Sequence, residues 1–136
     1  MSAWVRWANG DHDAAVQEMR TAAAIEDATE KSPVSPGSIA PAQEMLGDML
    51  LLAKQPKLAL TAYESALKST PGRLRPEYGA AVSAQQAGLR AAAERHYRTL
   101  LMNCNRADSD LPELTHANYF FGQSKLRVDS VPTKLR

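Results

Sequence analysis

Three histidines and one cysteine are the residues that could carry metal or nucleophilic chemistry. None of His12, His96 and His116 has a second histidine or a cysteine at a spacing that would place two metal ligands on one helix face. The acid–histidine–acid run at residues 11–13 could hold a cation weakly. Acidic side chains also suit a helix start, where the helix dipole is positive, and we favour that interpretation. The sequence therefore predicts no metal ion and no other cofactor.

Cys104 and His96 are the pair that could act as nucleophile and base. Within one helix, the eight residues between them correspond to about 12 Å along the axis, which is beyond hydrogen-bond reach. His116 could approach Cys104 only if the chain folded back. The sequence contains no glycine-rich phosphate loop and no nucleophile elbow. We therefore predict that the protein is not an enzyme, with a small hydrolase or metal-binding domain as a remote alternative.

The overall composition narrows the classes of partner and compartment. The chain has 136 residues, 16 basic and 15 acidic side chains, and a formal net charge of +1. The length favours one domain. The charge balance favours a protein that binds neither nucleic acid nor an anionic membrane. A single cysteine allows no intrachain disulfide. The N-terminus lacks the long apolar core of a signal peptide, and no apolar run approaches the roughly 18 residues that span a bilayer. We expect a soluble protein in a reducing compartment, the cytoplasm.

The hydrophobic pattern predicts helices throughout and no strands. Alanine and other helix formers dominate, and β-branched residues never alternate over a strand length. Glycine and proline mark the boundaries, for example Gly10, Pro71 and Gly88. Asp11 or Asp13 is a candidate N-cap, Pro56 suits the first turn of a helix, and Asp110 with Glu113 forms a candidate capping box. The predicted helices are 4–8, 12–27, 42–54, 56–69, 74–86, 90–103 and a capping helix over 110–121.

Two segments are predicted to be irregular. The proline-rich loop at 31–41, KSPVSPGSIAP, cannot be helical, because proline lacks an amide donor and restricts the residue before it. It is either a structural connection, which we favour, or a polyproline ligand for a partner. From Gly122 onward we expect irregular chain, with residues 123–136 forming a basic C-terminal tail outside the domain 1–122.

The helices repeat along the chain. A step of 34 residues matches Ala59 to Ala93, Tyr63 to Tyr97 and Leu67 to Leu101. A step of 44 residues in the other direction matches Ala59 to Ala15, Tyr63 to Met19 and Ala66 to Ala22. The ten additional residues correspond to the proline-rich loop. Pairs of helices at this period are typical of a helical repeat protein, in which each pair stacks on its neighbours.

The second pair resembles the tetratricopeptide repeat (TPR) family. The matching positions are Leu46–Gly47, Ala59, Tyr63 and Pro71, while Gln43 and Leu50 stand where that family has aromatic residues. The resemblance implies an all-α, right-handed α-solenoid of about three TPR-like helical hairpins, over 4–28, 41–70 and 73–104, plus a C-terminal capping helix. We expect Gly47 to let two helices approach closely, with Tyr63 filling the space toward the next hairpin.

In proteins that resemble this family, the first helix of each hairpin lines a concave groove. That implies a non-catalytic adaptor or scaffold that binds a peptide or protein segment. The implied groove residues are Glu44, Asp48, Leu51, Leu52, Arg75, Tyr78, Val82, Gln85 and Gln86. Glu44, Asp48 and Gly79 stand where some family members have the lysine, asparagine and arginine that clamp a carboxyl terminus. A carboxylate clamp of that type is therefore not expected.

Trp4 and Trp7 suggest a different class of function. They lie three residues apart and so share one face of a very short first helix. Turned inward, they would close the end of the solenoid. Turned outward, they would form an edge through which a self-assembling structural protein pairs with another copy. We slightly favour a homo-oligomer contact here.

Overall fold

The computed structural model describes residues 2–29, 40–106 and 110–129. Over these residues the chain forms seven helices and no strand, which confirms the all-α prediction. Ala40 and Pro41 lead into the third helix, and residues 31–39 of the proline-rich loop lie outside the described residues, as do 130–136 of the predicted tail. The helices are α1 Ala3–Ala8, α2 His12–Ala28, α3 Ala42–Leu52, α4 Pro56–Ser69, α5 Leu74–Gln86, α6 Arg90–Asn103 and α7 Pro112–Asp129.

Most helix boundaries agree with the sequence, and two expectations are corrected. The last helix runs to Asp129, so the expectation of irregular chain from Gly122 is wrong over 122–129. Glycine in a helix costs about 1 kcal/mol relative to alanine but stops the helix only where it takes a left-handed conformation, which Gly122 does not. Asp11 occupies the N-cap position of α2 without a side-chain capping hydrogen bond, and its carboxylate lies 3.9 Å from Arg6 instead.

Three hairpin turns share one hydrogen-bond pattern. Each first helix is followed by a residue with positive φ, namely Gly10 (88°), Lys54 (59°) and Gly88 (74°). At each turn this residue donates its amide to a carbonyl three residues back, and the next amide donates to a carbonyl five residues back. That is the Schellman arrangement, which satisfies the last carbonyls of a helix. The turns at residues 10, 54 and 88 reproduce the 44- and 34-residue steps of the sequence.

The helices pack mainly in sequence order. Each helix contacts the next from α1 to α7, and α3 also contacts α5. Ala15, Ala59 and Ala93 are fully buried at matching places of α2, α4 and α6. Tyr63 and Tyr97, at matching places of α4 and α6, are 2% and 0% exposed. The match between Ala22 and Ala66 does not hold in the packing, because Ala66 is buried and Ala22 is exposed. Leu114 and Phe120 of α7 are buried at the C-terminal end.

The ring of Tyr63 joins two hairpins through two glycines. A Cβ placed on Gly47 of α3 would lie 2.7 Å from the ring, and one on Gly79 of α5 would be closer still. Tyr63 therefore fills the space toward the next hairpin, as predicted. The same ring lies against Gly47, so the absence of a side chain there makes room for Tyr63. Nothing in the sequence pattern had indicated that Gly79 makes room for the ring as well.

Candidate protein-interaction groove

A cavity of about 490 Å³ lies between α1, α3, α4 and α5. Its lining residues are Trp4, Asp48, Leu51, Leu52, Lys54, Tyr63, Arg75 and Gln86. Five of the nine predicted groove residues belong to this set, and so does one of the two predicted edge residues. We call this set the α3–α5 groove. Because it combines leucines and an indole with charged groups, it can receive an apolar side chain beside a polar one.

Asp48 is the central acceptor of the groove. Tyr63 donates its hydroxyl proton to Oδ1 of Asp48 at 2.5 Å, and Arg75 donates from Nη2 to Oδ2 at 2.6 Å. Burial and, after it, the hydrogen bond to Asp48 raise the pKa of Tyr63 well above its ordinary value. Tyr63 is therefore a permanent donor, and Asp48 has a protein partner on each oxygen.

Glu44 is placed differently from the expectation of a groove-lining residue. It is only 3% exposed and does not line the cavity. Its carboxylate lies 3.2 Å from Nη2 of Arg73 and 3.5 Å from Nε of Arg75. The first of these is an ion pair whose geometry is not aligned for a hydrogen bond, since Oε2 has no hydrogen-bond partner. Glu44 thus balances the positive charges of Arg73 and Arg75 at the start of α5, and it lies buried beneath the groove rather than in its wall.

The remaining predicted groove residues, Tyr78, Val82 and Gln85, do not line the cavity. The hydroxyl of Tyr78 lies 2.8 Å from Nδ1 of His116, and Gln85 accepts a 2.7 Å hydrogen bond from the hydroxyl of Tyr97. Val82 is half-buried against the core. Burial raises the pKa of Tyr78 above its ordinary value, and the nearby charge of Glu113 adds to the shift. Tyr78 thus contacts α7 and Gln85 contacts α6, so this part of the predicted groove is occupied by neighbouring helices of the same chain.

Trp4 and Trp7 are both half-buried and pack against the core. Trp4 lines the α3–α5 groove. Trp7 stacks on His12, with ring centroids 4.2 Å apart and planes inclined by 24°. His12 thus has an aromatic partner, and among the described residues no group of three or more histidine, cysteine, aspartate or glutamate side chains could hold a metal ion.

A buried histidine cluster was missed by the sequence reasoning, which considered His96 only as a metal ligand or as a base for Cys104. Nδ1 of His96 lies 2.6 Å from Glu77, and Nε2 lies 3.2 Å from Glu64, which also pairs with Arg95 at 3.1 Å. Burial lowers the pKa of His96, but the hydrogen bonds to Glu77 and Glu64 outweigh it, and the net shift is upward. The three residues come from α6, α5 and α4, so no local spacing indicated them.

A second, smaller cavity of about 310 Å³ lies between α2, α3 and α4. Arg20, Leu50 and Leu58 are among its lining residues, and Nε of Arg20 is buried without a hydrogen-bond partner. Asp27 at the cavity wall accepts a 2.6 Å hydrogen bond from Gln43. This cavity had no counterpart among the predicted sites.

Comparisons with protein-family models, with curated proteins and with solved structures found no match to this chain. No helix in the described part of the chain is long and apolar enough to cross a membrane.

Proposed function

We propose that the protein is a non-catalytic protein-interaction module that binds a peptide or protein segment in the α3–α5 groove. The observation that carries this proposal is the cavity of about 490 Å³ in which Leu51, Leu52 and Trp4 lie beside charged groups. Leu52 is 57% exposed, so it offers apolar surface at the groove. Exposed apolar surface with a polar rim is typical of an interaction site.

The proposal includes a short TPR-like solenoid as the architecture. Three Schellman turns at 44- and 34-residue steps, and packing that follows sequence order, support it. In such a stack the first helices of successive hairpins lie side by side, and here α3 contacts α5. A groove built on two adjacent rigid helices needs little reorganisation to bind a segment, which favours a scaffold or adaptor role.

We extend the proposal to a reducing compartment such as the cytoplasm. Its support is Cys104, the single cysteine of the sequence, which is a partly exposed free thiol. Self-association through Trp4 and Trp7 has less support than peptide binding. Both indoles pack against the core, and Trp7 is covered on one face by His12.

A displayed library of random peptides tests the proposal. The matched variants are Leu52→Glu in the groove and Met102→Glu on α6, because Met102 is 68% exposed and lies outside the cavity. We expect peptides that are enriched on the native chain to bind Met102→Glu equally and to lose most binding to Leu52→Glu. Peptides that bind both variants equally, or no enrichment at all, would contradict the proposed groove.

A further inference from the structure

Lys54 occupies a backbone position where the other two hairpins have glycine. It is the one non-glycine residue with positive φ in the described part of the chain, at 59°. Gly10 and Gly88 stand at the matching places, with the same pair of turn hydrogen bonds. A side chain is disfavoured in this left-handed region because its Cβ crowds the backbone, whereas glycine is not. Backbone strain of this kind is a reason to look for a function of the side chain.

Lys54 lines the α3–α5 groove together with Trp4, Leu51 and Leu52. Its ammonium forms no hydrogen bond or ion pair with any residue that the structure describes. A cation with three donors is thus available beside the most exposed apolar part of the groove.

The other charged groups in the groove and directly beneath it are already compensated. Both oxygens of Asp48 accept hydrogen bonds, and Arg75 pairs with Asp48 and with Glu44. Arg73 pairs with Glu44 as well. Two carboxylates therefore balance two guanidinium groups, and Lys54 adds one uncompensated positive charge. The electrostatic complement of this groove is a segment with an acidic side chain.

We propose that the α3–α5 groove binds an extended segment in which an acidic residue stands near an aliphatic one, with the carboxylate paired to Lys54. The aliphatic side chain lies on Leu51, Leu52 and Trp4, and the acidic side chain reaches the ammonium at the adjacent hairpin turn. This inference rests on the proposed peptide-binding function and specifies its ligand. It also gives a reason for a lysine where a glycine would relieve the backbone.

An array of synthetic eight-residue peptides tests this specificity. Each peptide has one leucine in an alanine background and glutamate at one of the next four positions, and each has a twin with glutamine in place of glutamate. We expect the native chain to favour the best glutamate peptide over its twin by about three- to fivefold, the ratio that a partly exposed ion pair supports. Because the pair is accessible to solvent, the preference should fall at high salt.

Three variants locate the effect. Lys54→Gln and Lys54→Gly should lose the preference for glutamate, while Lys57→Gln, which removes an exposed lysine outside the cavity, should keep it. Lys54→Gly should also raise the melting temperature, and Gly88→Lys should lower it, because the two changes relieve and create the same backbone strain. A native chain that binds both twins equally, or a Lys54→Gln variant that keeps the preference, would overturn the inference.

The array also separates this inference from the proposed function. Peptides that bind the native chain better than Leu52→Glu but without a preference for glutamate would leave the groove in place and refute the role of Lys54. If no peptide binds the native chain better than Leu52→Glu, both the groove and its specificity are refuted.

Discussion

The ring of Tyr63 on α4 lies so close to the backbone of Gly79 on α5 that a methyl group at residue 79 would occupy the same space. Gly79→Ala should therefore force the ring, α5 or both to move. Overpacking costs about 1–3 kcal/mol, and alanine offsets about 1 kcal/mol of it through helix propensity. We expect the variant to lose up to about 2 kcal/mol of unfolding free energy in urea denaturation.

Gly122→Ala provides the matched control, because this glycine lies within α7 and a Cβ there would meet nothing within 4 Å. It should stabilise the protein by up to about 1 kcal/mol. Equal stability changes for the two variants would mean that the contact between Tyr63 and Gly79 does not limit the packing of these hairpins.

Asp48 should contribute to stability as well as to the groove, because it accepts the hydroxyl proton of buried Tyr63. Asp48→Ala leaves that hydroxyl without its acceptor, and an unsatisfied buried donor costs about 1–3 kcal/mol. Asp48→Asn keeps an acceptor oxygen and should cost less. The measurement is the unfolding free energy of both variants in the native and the Tyr63→Phe backgrounds.

In the Tyr63→Phe background the cost of Asp48→Ala should shrink, because the donor that it orphans is no longer present. A cost that stays the same would assign the effect to the ion pair with Arg75 instead. Arg75 is 70% exposed, so we expect that pair to contribute less than the tyrosine hydrogen bond.

His96 should make stability depend on pH in the range above its ordinary pKa of about 6.5. Its pKa in the folded protein is raised above the ordinary value of about 6.5, because protonated His96 donates to Glu77 and to Glu64. A raised folded-state pKa means that the contribution is complete below the unfolded pKa and is lost as pH rises through the folded pKa. The melting temperature should therefore fall as pH rises through this range.

His96→Gln should remove most of this dependence, whereas His12→Gln should leave it, because His12 is an exposed residue at the start of α2. Thermal unfolding followed by circular dichroism at several pH values is the measurement. A melting temperature that rises with pH, or a His96→Gln variant with the native profile, would contradict the proposed charge state of the cluster.

Phe120 should contribute more to the free energy of unfolding than its neighbour Tyr119 on α7. It is buried and lies 4.8 Å from Tyr97 between ring centroids, whereas Tyr119 is 62% exposed. Phe120→Ala should cost about 3 kcal/mol and Tyr119→Ala less than about 0.5 kcal/mol. Equal costs in denaturant unfolding would show that α7 does not close the C-terminal end through Phe120.

The helices themselves could be predicted from the sequence because their signals are local. Proline at residue 56 begins α4, and glycine at residues 10 and 88 ends a helix in a left-handed turn. The 34-residue step also identified the buried positions Ala59, Ala93, Tyr63 and Tyr97, since equivalent helices bury equivalent faces. The end of α7 was predicted wrongly, because a glycine without positive φ does not stop a helix.

The site was less accessible to sequence reasoning, because its properties depend on side chains that are distant along the chain. The resemblance to the TPR family implied that Asp48, Leu51 and Leu52 lie in a groove, and they do line the cavity. Only the packing of α3, α4 and α5 on one another decides that Glu44 is buried under two arginines and that Tyr63 lies between two glycines. Likewise, His96 meets Glu64 and Glu77 only because three helices converge. Local sequence thus determines which segments are helical and which faces are apolar, while ion pairing and burial are decided by contacts that form only in the tertiary structure.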